Sequence, residues 1–283
     1  MAIERIHSSD VQLFVNDQYV PAVESLNLSS SKKVTNIPRL GFTHIAERML
    51  NADQSTEIEV GIYLTTGNTG ISPFYGPQQM QSGFLSTGKF DFKVKDKLGV
   101  NTISGGSLTS YDLNGSVGEL VKGRTSYVGD GAIFTSVGAL TDEDASTDTF
   151  GGFFRPKDIE ITSTNGDEGI DSANLNIQDF SLSVNIGRNP VTRLGTRVPK
   201  FRYPELPSNG TLRFNVIKNK VTGLNISSLI CESGAIKIDL QDDGGNSVMD
   251  FTASGCCLES VDESPSLDDN TTISFSYYFP IIK

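Results

Sequence analysis

Two pairs of segments in this chain alternate apolar and polar residues, and one constant shift relates the pairs. Phe180–Arg188 reads FSLSVNIGR, with Phe180, Leu182, Val184 and Ile186 on one parity and Ser181, Ser183 and Asn185 on the other. Side chains on a strand point to opposite faces in turn, so this period of two predicts an antiparallel strand with one buried face. Asn189-Pro190 then marks a bend, because proline lacks an amide donor and restrains the residue before it. An earlier stretch, VESLNLSSSKKVTNIPRLG at 23–41, lies without a gap on IQDFSLSVNIGRNPVTRLG at 177–195, a shift of 154 (177 − 23). Leu28 meets Leu182, Ser29 meets Ser183, and Arg39-Leu40-Gly41 meets Arg193-Leu194-Gly195. The same shift carries EIEVGIYL at 57–64 onto TLRFNVIK at 211–218, so Ile58, Val60 and Ile62 coincide with Leu212, Phe214 and Val216. A one-residue slip would turn every side chain to the wrong face, and none occurs.

The repeat predicts two β units, 1–145 and 153–283, separated by the acidic, Ser/Thr-rich stretch at 140–152. TSYDLNGSVGELV at 109–121 resembles MDFTASGCCLESV at 249–261, with Gly115 over Gly255 and a shift of 140. That leaves 14 (154 − 140) additional residues in the first copy, assigned to the loop TTGNTGISPFYGPQQMQSGF at 65–84. Its Ile71, Phe74, Tyr75, Met80 and Phe84 are more apolar than a solvated linker requires. Further strands are expected at 89–94 and 235–240, with last strands at 126–134 and 271–279, and a surface turn at 162–174. THIAERMLNA at 43–52 is the one segment whose spacing suits an amphipathic helical turn. The 28 Gly and 11 Pro among 283 residues suit short strands and turns, so the fold class is all-β, β-rich with a minor helix.

The same residues carry little catalytic potential. His7 and His44 are the only histidines, and the acids Asp142, Glu143, Asp144, Asp242 and Asp243 stand in Gly/Ser-rich stretches where water solvates them. QDDGGNS at 241–247 lacks calcium-loop spacing and reads as a hairpin turn. Glycine runs follow no strand-to-helix pattern of a phosphate cradle, Trp is absent, and Tyr277-Tyr278 are expected to pack within a strand. No enzyme activity, metal or cofactor is expected. With 23 Lys+Arg against 34 Asp+Glu, the net charge of −11 disfavours specific nucleic-acid binding. No run of roughly 20 apolar residues and no leader-like N-terminus is present, and Cys231, Cys256 and Cys257 lack metal-ligand spacing, so unbridged thiols in a cytoplasmic setting are expected.

VPAVESLNLSSSKKV and its echo DFSLSVNIGRNPVTRLG resemble the paired wall strands of bacteriophage tail tube proteins. The resemblance implies two tandem tube-like β-barrel or sandwich units whose strands join an intersubunit barrel, in rings of three or six chains stacked into a tube. It implies a virion tail assembled in the host cytoplasm, with tape measure, tail terminator and baseplate or sheath proteins as partners. Genomic DNA would be met only in passage, without specific binding, and no membrane is involved. The lumen would be lined by Glu57, Glu59, Ser181, Ser183, Asn185 and Arg213, of which Arg213 is the odd member, since it stands where the first copy has Glu59. Ile71, Phe74, Tyr75, Met80 and Phe84 would touch a neighbouring subunit or ring. The alternatives are a tube or baseplate component of a contractile injection system, and a two-domain β-sandwich adhesin or carbohydrate-binding protein.

Overall fold

The computed structural model describes residues 11–38, 45–66, 84–85, 88–96, 99–131, 133–136, 152–163, 175–194, 199–217, 235–264 and 271–281. About three quarters of them lie in strands. The first half contains β1 (Gln12–Val15), β2 (Gln18–Val20), β3 (Val23–Pro38), β4 (Ile45–Tyr63), β5 (Phe90–Lys95), β6 (Val100–Ser116), β7 (Lys122–Asp130) and β8 (Phe134–Ser136). After a 3-10 turn at Pro156–Asp158 come β9 (Ile159–Ser163), β10 (Asn176–Asn185), β11 (Arg188–Val191), β12 (Phe201–Pro204) and β13 (Ser208–Ile217). β14 (Ala235–Gln241), β15 (Ser247–Ser254), β16 (Cys257–Ser264) and β17 (Thr272–Ile281) complete the second half.

Neighbouring antiparallel strands run in the order β3-β4-β7-β6-β10-β13-β17-β16 and form one open wall with no closed barrel. Its first four strands and its last four repeat each other in register. Leu28 pairs with Ile58 in β3·β4, and Leu182 pairs with Leu212 in β10·β13, both members displaced by 154 (182 − 28 and 212 − 58). The same displacement takes Val34↔Leu50 to Arg188↔Pro204 and Ile37↔Glu47 to Val191↔Phe201 in the β11·β12 hairpin. Ile58↔Tyr127 becomes Leu212↔Tyr277, and Leu108↔Tyr127 becomes Leu258↔Tyr277, a displacement of 150 (277 − 127) for the third and fourth strands. A bulge at Leu108/Ser110 recurs at Leu258/Ser260. Gly105 and Gly255, also 150 (255 − 105) apart, take the left-handed conformations φ 71° and φ 68°, which glycine adopts without a Cβ clash.

These registers correct four expectations. The counterpart of Gly255 is Gly105 and not Gly115, which instead lies under Phe180 at the junction of the halves. The counterpart of β17 is Lys122–Asp130, so the first copy's last wall strand is not 126–134. Phe92↔Ile103 corresponds to Ile236↔Ala253, so β5 and β14 differ by 144 (236 − 92) and the first copy's surplus before this strand is 10 (154 − 144) residues, not 14. The segment at 45–52 is no helix but part of β4, held by pairing with Val34–Pro38 of β3.

The wall's apolar face is covered by a second layer. β2-β1-β5 and the start of β6 cover one half, with Phe92 against Tyr127 at 4.8 Å between ring centroids. The sheet β9-β14-β15 belongs to the other half, and its Phe251 lies 6.0 Å from Tyr111. Ile58, Val60, Ile62, Leu182, Val184, Leu212, Phe214 and Val216 are all buried between the layers. Alternation therefore put the core where hydrophobic burial requires it. Cys256 is a free buried thiol, pushed up to about 11 by loss of hydration, whereas Cys257 is disulfide-bonded, which corrects the expectation of unbridged thiols.

Candidate functional site

The wall's second face is polar from one edge to the other. Residues opposite each other in adjacent strands share a face, so register alone assembles rows across both halves. One row runs Asn27, Glu59, Ser126, Ser110, Asn185. The next runs Arg124, Asp112, Ser183, Thr211, Tyr278, and a third runs Lys122, Asn114, Ser181, Arg213, Ser276. Glu57, Glu59, Ser181, Ser183, Asn185 and Arg213 thus lie on the one face that the alternation assigned them. Tyr277 is buried against Phe214, but Tyr278 points to the polar face and is partly exposed, so only the first of the two tyrosines packs as expected.

The charges on this face are mostly matched in the first half. Arg124 pairs with Glu59, and Lys122 lies 2.9 Å from Glu24, whose carboxyl is held below its ordinary range by that hydrogen bond. Arg213 faces Ser181 and Ser276 and has no ion pair among the described residues. An open groove of about 500 Å³ crosses the face, lined by Asn27, Ser29, Glu57, Glu59, Ser110 and Asn185, among others. It brings together candidates from both halves. Among the described residues no group of three or more His, Cys, Asp or Glu could hold a metal ion. Hydroxyls, amides and paired charges on a sheet face can be wetted, but they offer no poised nucleophile or base.

No protein-family model matches the chain, and no curated protein matches it closely.

At the groove's border lie two arginines that sequence reasoning missed, Arg188 and Arg202. Arg188 is buried, and its Nε donates to the Leu108 carbonyl and its Nη2 to the Phe84 carbonyl, each at 2.8 Å. Burial pulls its pKa below the ordinary value. Arg202 Nε donates to Asp130 Oδ1 at 2.9 Å in a buried pair. The shift of 154 was a usable signal, because it sets Arg188 over Val34 and exposes a charge gained inside an apolar position.

The loop contacts divide. Ile71, Phe74, Tyr75 and Met80 lie outside the described residues, as do His7 and His44. Phe84 is fully buried in its own chain, 5.6 Å from the Tyr111 ring, so it is a core residue and not a contact for a neighbour. Among the described residues, exposed apolar side chains occur at several places, Phe134 and Val117 among them; the most exposed is Leu194, 103%, next to the β11–β12 hairpin, where Val191 and Tyr203 are also open to solvent. Asp242 closes the β14–β15 turn by accepting from the backbone amides of Gly244 (2.8 Å) and Asn246 (2.9 Å), the hairpin turn expected at 241–247.

Proposed function

We propose that this chain is the wall subunit of a bacteriophage tail tube and acts as a passive conduit for the genome, without catalysis or cofactor. The observation that carries this reading is the junction β6·β10. There, one four-strand unit joins a second copy of itself edge to edge, with Leu182 opposite Leu113 and Val184 opposite Tyr111, into a single wall. A wall that grows by adding the same unit, with one face packed and the other polar, is what a tube requires. Among the described residues β3 and β16 each pair on one side only; such edges invite further pairing, and closing the sheet on itself removes both.

In this reading the polar rows line the bore and the second layer faces outward. The net charge of −11 keeps phosphate from adhering at the roughly 8–10 Å over which charges act in physiological salt. Each chain contributes two units, so six units make a ring of three chains and twelve make a ring of six. The exposed Leu194 supplies a contact for the next ring. Tape measure, tail terminator and baseplate or sheath proteins are the partners that such a tube requires, in a virion tail. Negative-stain microscopy of the purified chain tests the reading directly. Hollow rings or tubes of constant diameter are expected, and dispersed monomers at all concentrations would overturn it.

A further inference from the structure

We propose that the joint between neighbouring chains copies the joint between the two halves of one chain. The β16 edge of one copy pairs antiparallel with the β3 edge of the next, placing Ser29 opposite Asp262 and Ser31 opposite Ser260. The inference rests on the tube reading only in taking the partner to be a second copy of this chain.

The register follows from the internal joint. In β6·β10, Ser183 stands opposite Asp112 and Asn185 opposite Ser110. β3 answers to β10 at a displacement of 154 (182 − 28), and β16 answers to β6 at 150 (258 − 108). Applying both to the internal pairs gives the intermolecular ones. The backbone bond from the Ile186 amide to the Thr109 carbonyl, 2.7 Å, transposes to Lys32 and Glu259.

Burial points the same way. Phe180 and Leu182, which lie at the internal joint, are buried to within 3% of full cover, and so is Tyr111 on the facing strand, opposite Val184. Their counterparts on the open edges, Leu26, Leu28 and Val261, are only partly buried in the single chain. Such half-covered aliphatics in line with a fully covered set are what a missing neighbour leaves behind. Charge decides which edge meets which. β3 carries Lys32 and Lys33, while β16 carries Glu259, Asp262 and Glu263 in exposed positions. β3 against β3 would oppose lysines, and β16 against β16 would oppose carboxylates. Only β3 against β16 joins opposite signs, and such a head-to-tail joint of two different edges makes a ring where the rotation from chain to chain closes.

Cysteine pairs in the full chain test the register. Residues directly opposite in antiparallel strands have Cα atoms about 4.5–5.5 Å apart, within disulfide reach, whereas diagonal neighbours lie about 7–8 Å apart, beyond it. Ser29→Cys/Asp262→Cys is therefore expected to give a ladder of linked chains on a non-reducing gel after mild oxidation. Ser29→Cys/Ser264→Cys and either single variant should stay at the background of the unsubstituted chain. Dimers from Ser29→Cys alone, a ladder from the off-register pair, or rings visible by microscopy without any ladder would each overturn the joint. The last result would leave the tube reading standing. A ladder without tubes would support the joint and remove the tube, and neither ladder nor assembly would remove both.

Discussion

The two halves of the wall share a backbone register and differ in nearly everything that decorates it. Where Thr56 faces Gly129 in the first half, Gly210 faces Phe279 in the second, so bulk has moved from one strand to its neighbour. A Cβ added at Gly210 would collide with the Phe279 ring, so the exchange only works as a pair. On the polar face, Glu57 and Glu59 give way to Thr211 and Arg213, and Lys122 and Arg124 to Thr272 and Ser274. The buried stripe of the second strand keeps its apolar character: Ile58, Val60 and Ile62 against Leu212, Phe214 and Val216. Wall geometry is thus specified by the buried stripe and the bulge, while the chemistry of the polar face is free to drift within a hydrophilic range.

The largest effects are expected where the halves have traded bulk. Phe279→Gly should cost about 4 kcal/mol in urea unfolding through the cavity it leaves, and Gly210→Thr about 3 kcal/mol through overpacking. The double variant, which restores the first half's Thr/Gly combination, should lose about 2 kcal/mol less than the sum of the two. Simple additivity would mean that the exchange is not compensatory. Next comes Arg188→Val, which gives the second half the residue that the first half has at position 34. Loss of two charge-assisted bonds to the Leu108 and Phe84 carbonyls should cost about 2–3 kcal/mol, and an unchanged urea midpoint would show that the buried guanidinium does not pin these segments.

Leu194→Asp should leave stability within about 0.5 kcal/mol, since the side chain touches little of its own chain. Its expected effect is on assembly: single rings form, and tubes shorten or fail to grow when counted by microscopy. Tubes of normal length would move the stacking contact elsewhere. Glu57→Lys/Glu59→Lys breaks the exposed pair with Arg124 and is expected to cost folding about 1 kcal/mol or less. Rings should survive, while genome ejection from particles carrying the variant slows or stalls. Normal ejection would remove these carboxylates from the bore.

Strands whose alternation is enforced by a core were legible residue by residue, as Phe180–Ile186 and Ile58–Ile62 show. β4 near 45–52 was not, because THIAERMLNA carries apolar residues at helical spacing and its strand conformation comes from pairing with β3, which no local pattern records. The third repeat was misaligned on a shared glycine. Better markers were present in Leu108, Ser110 and Asp112 against Leu258, Ser260 and Asp262, and in Ser126-Tyr127 against Ser276-Tyr277. The bulge broke the alternation there and hid them. The polar face was readable at Glu57, Glu59, Ser181, Ser183, Asn185 and Arg213, since parity assigns them, but not at Tyr278, which was expected to pack and lies partly exposed on that face. Phe84 and the two buried arginines were not readable, because cover by distant segments decides their burial.

The central claim is that the polar face of a laterally continuous wall lines a bore, and a cryo-EM reconstruction of the assembled chain measures it most directly. The account predicts an unbroken ring of antiparallel strands in which intrachain and interchain joints alternate with the same register, and in which Glu57, Glu59, Ser183 and Asn185 point at the axis. A reconstruction with these side chains on the outer surface, or with chains meeting through the β9-β14-β15 layer and the edges of β3 and β16 left open, would contradict it.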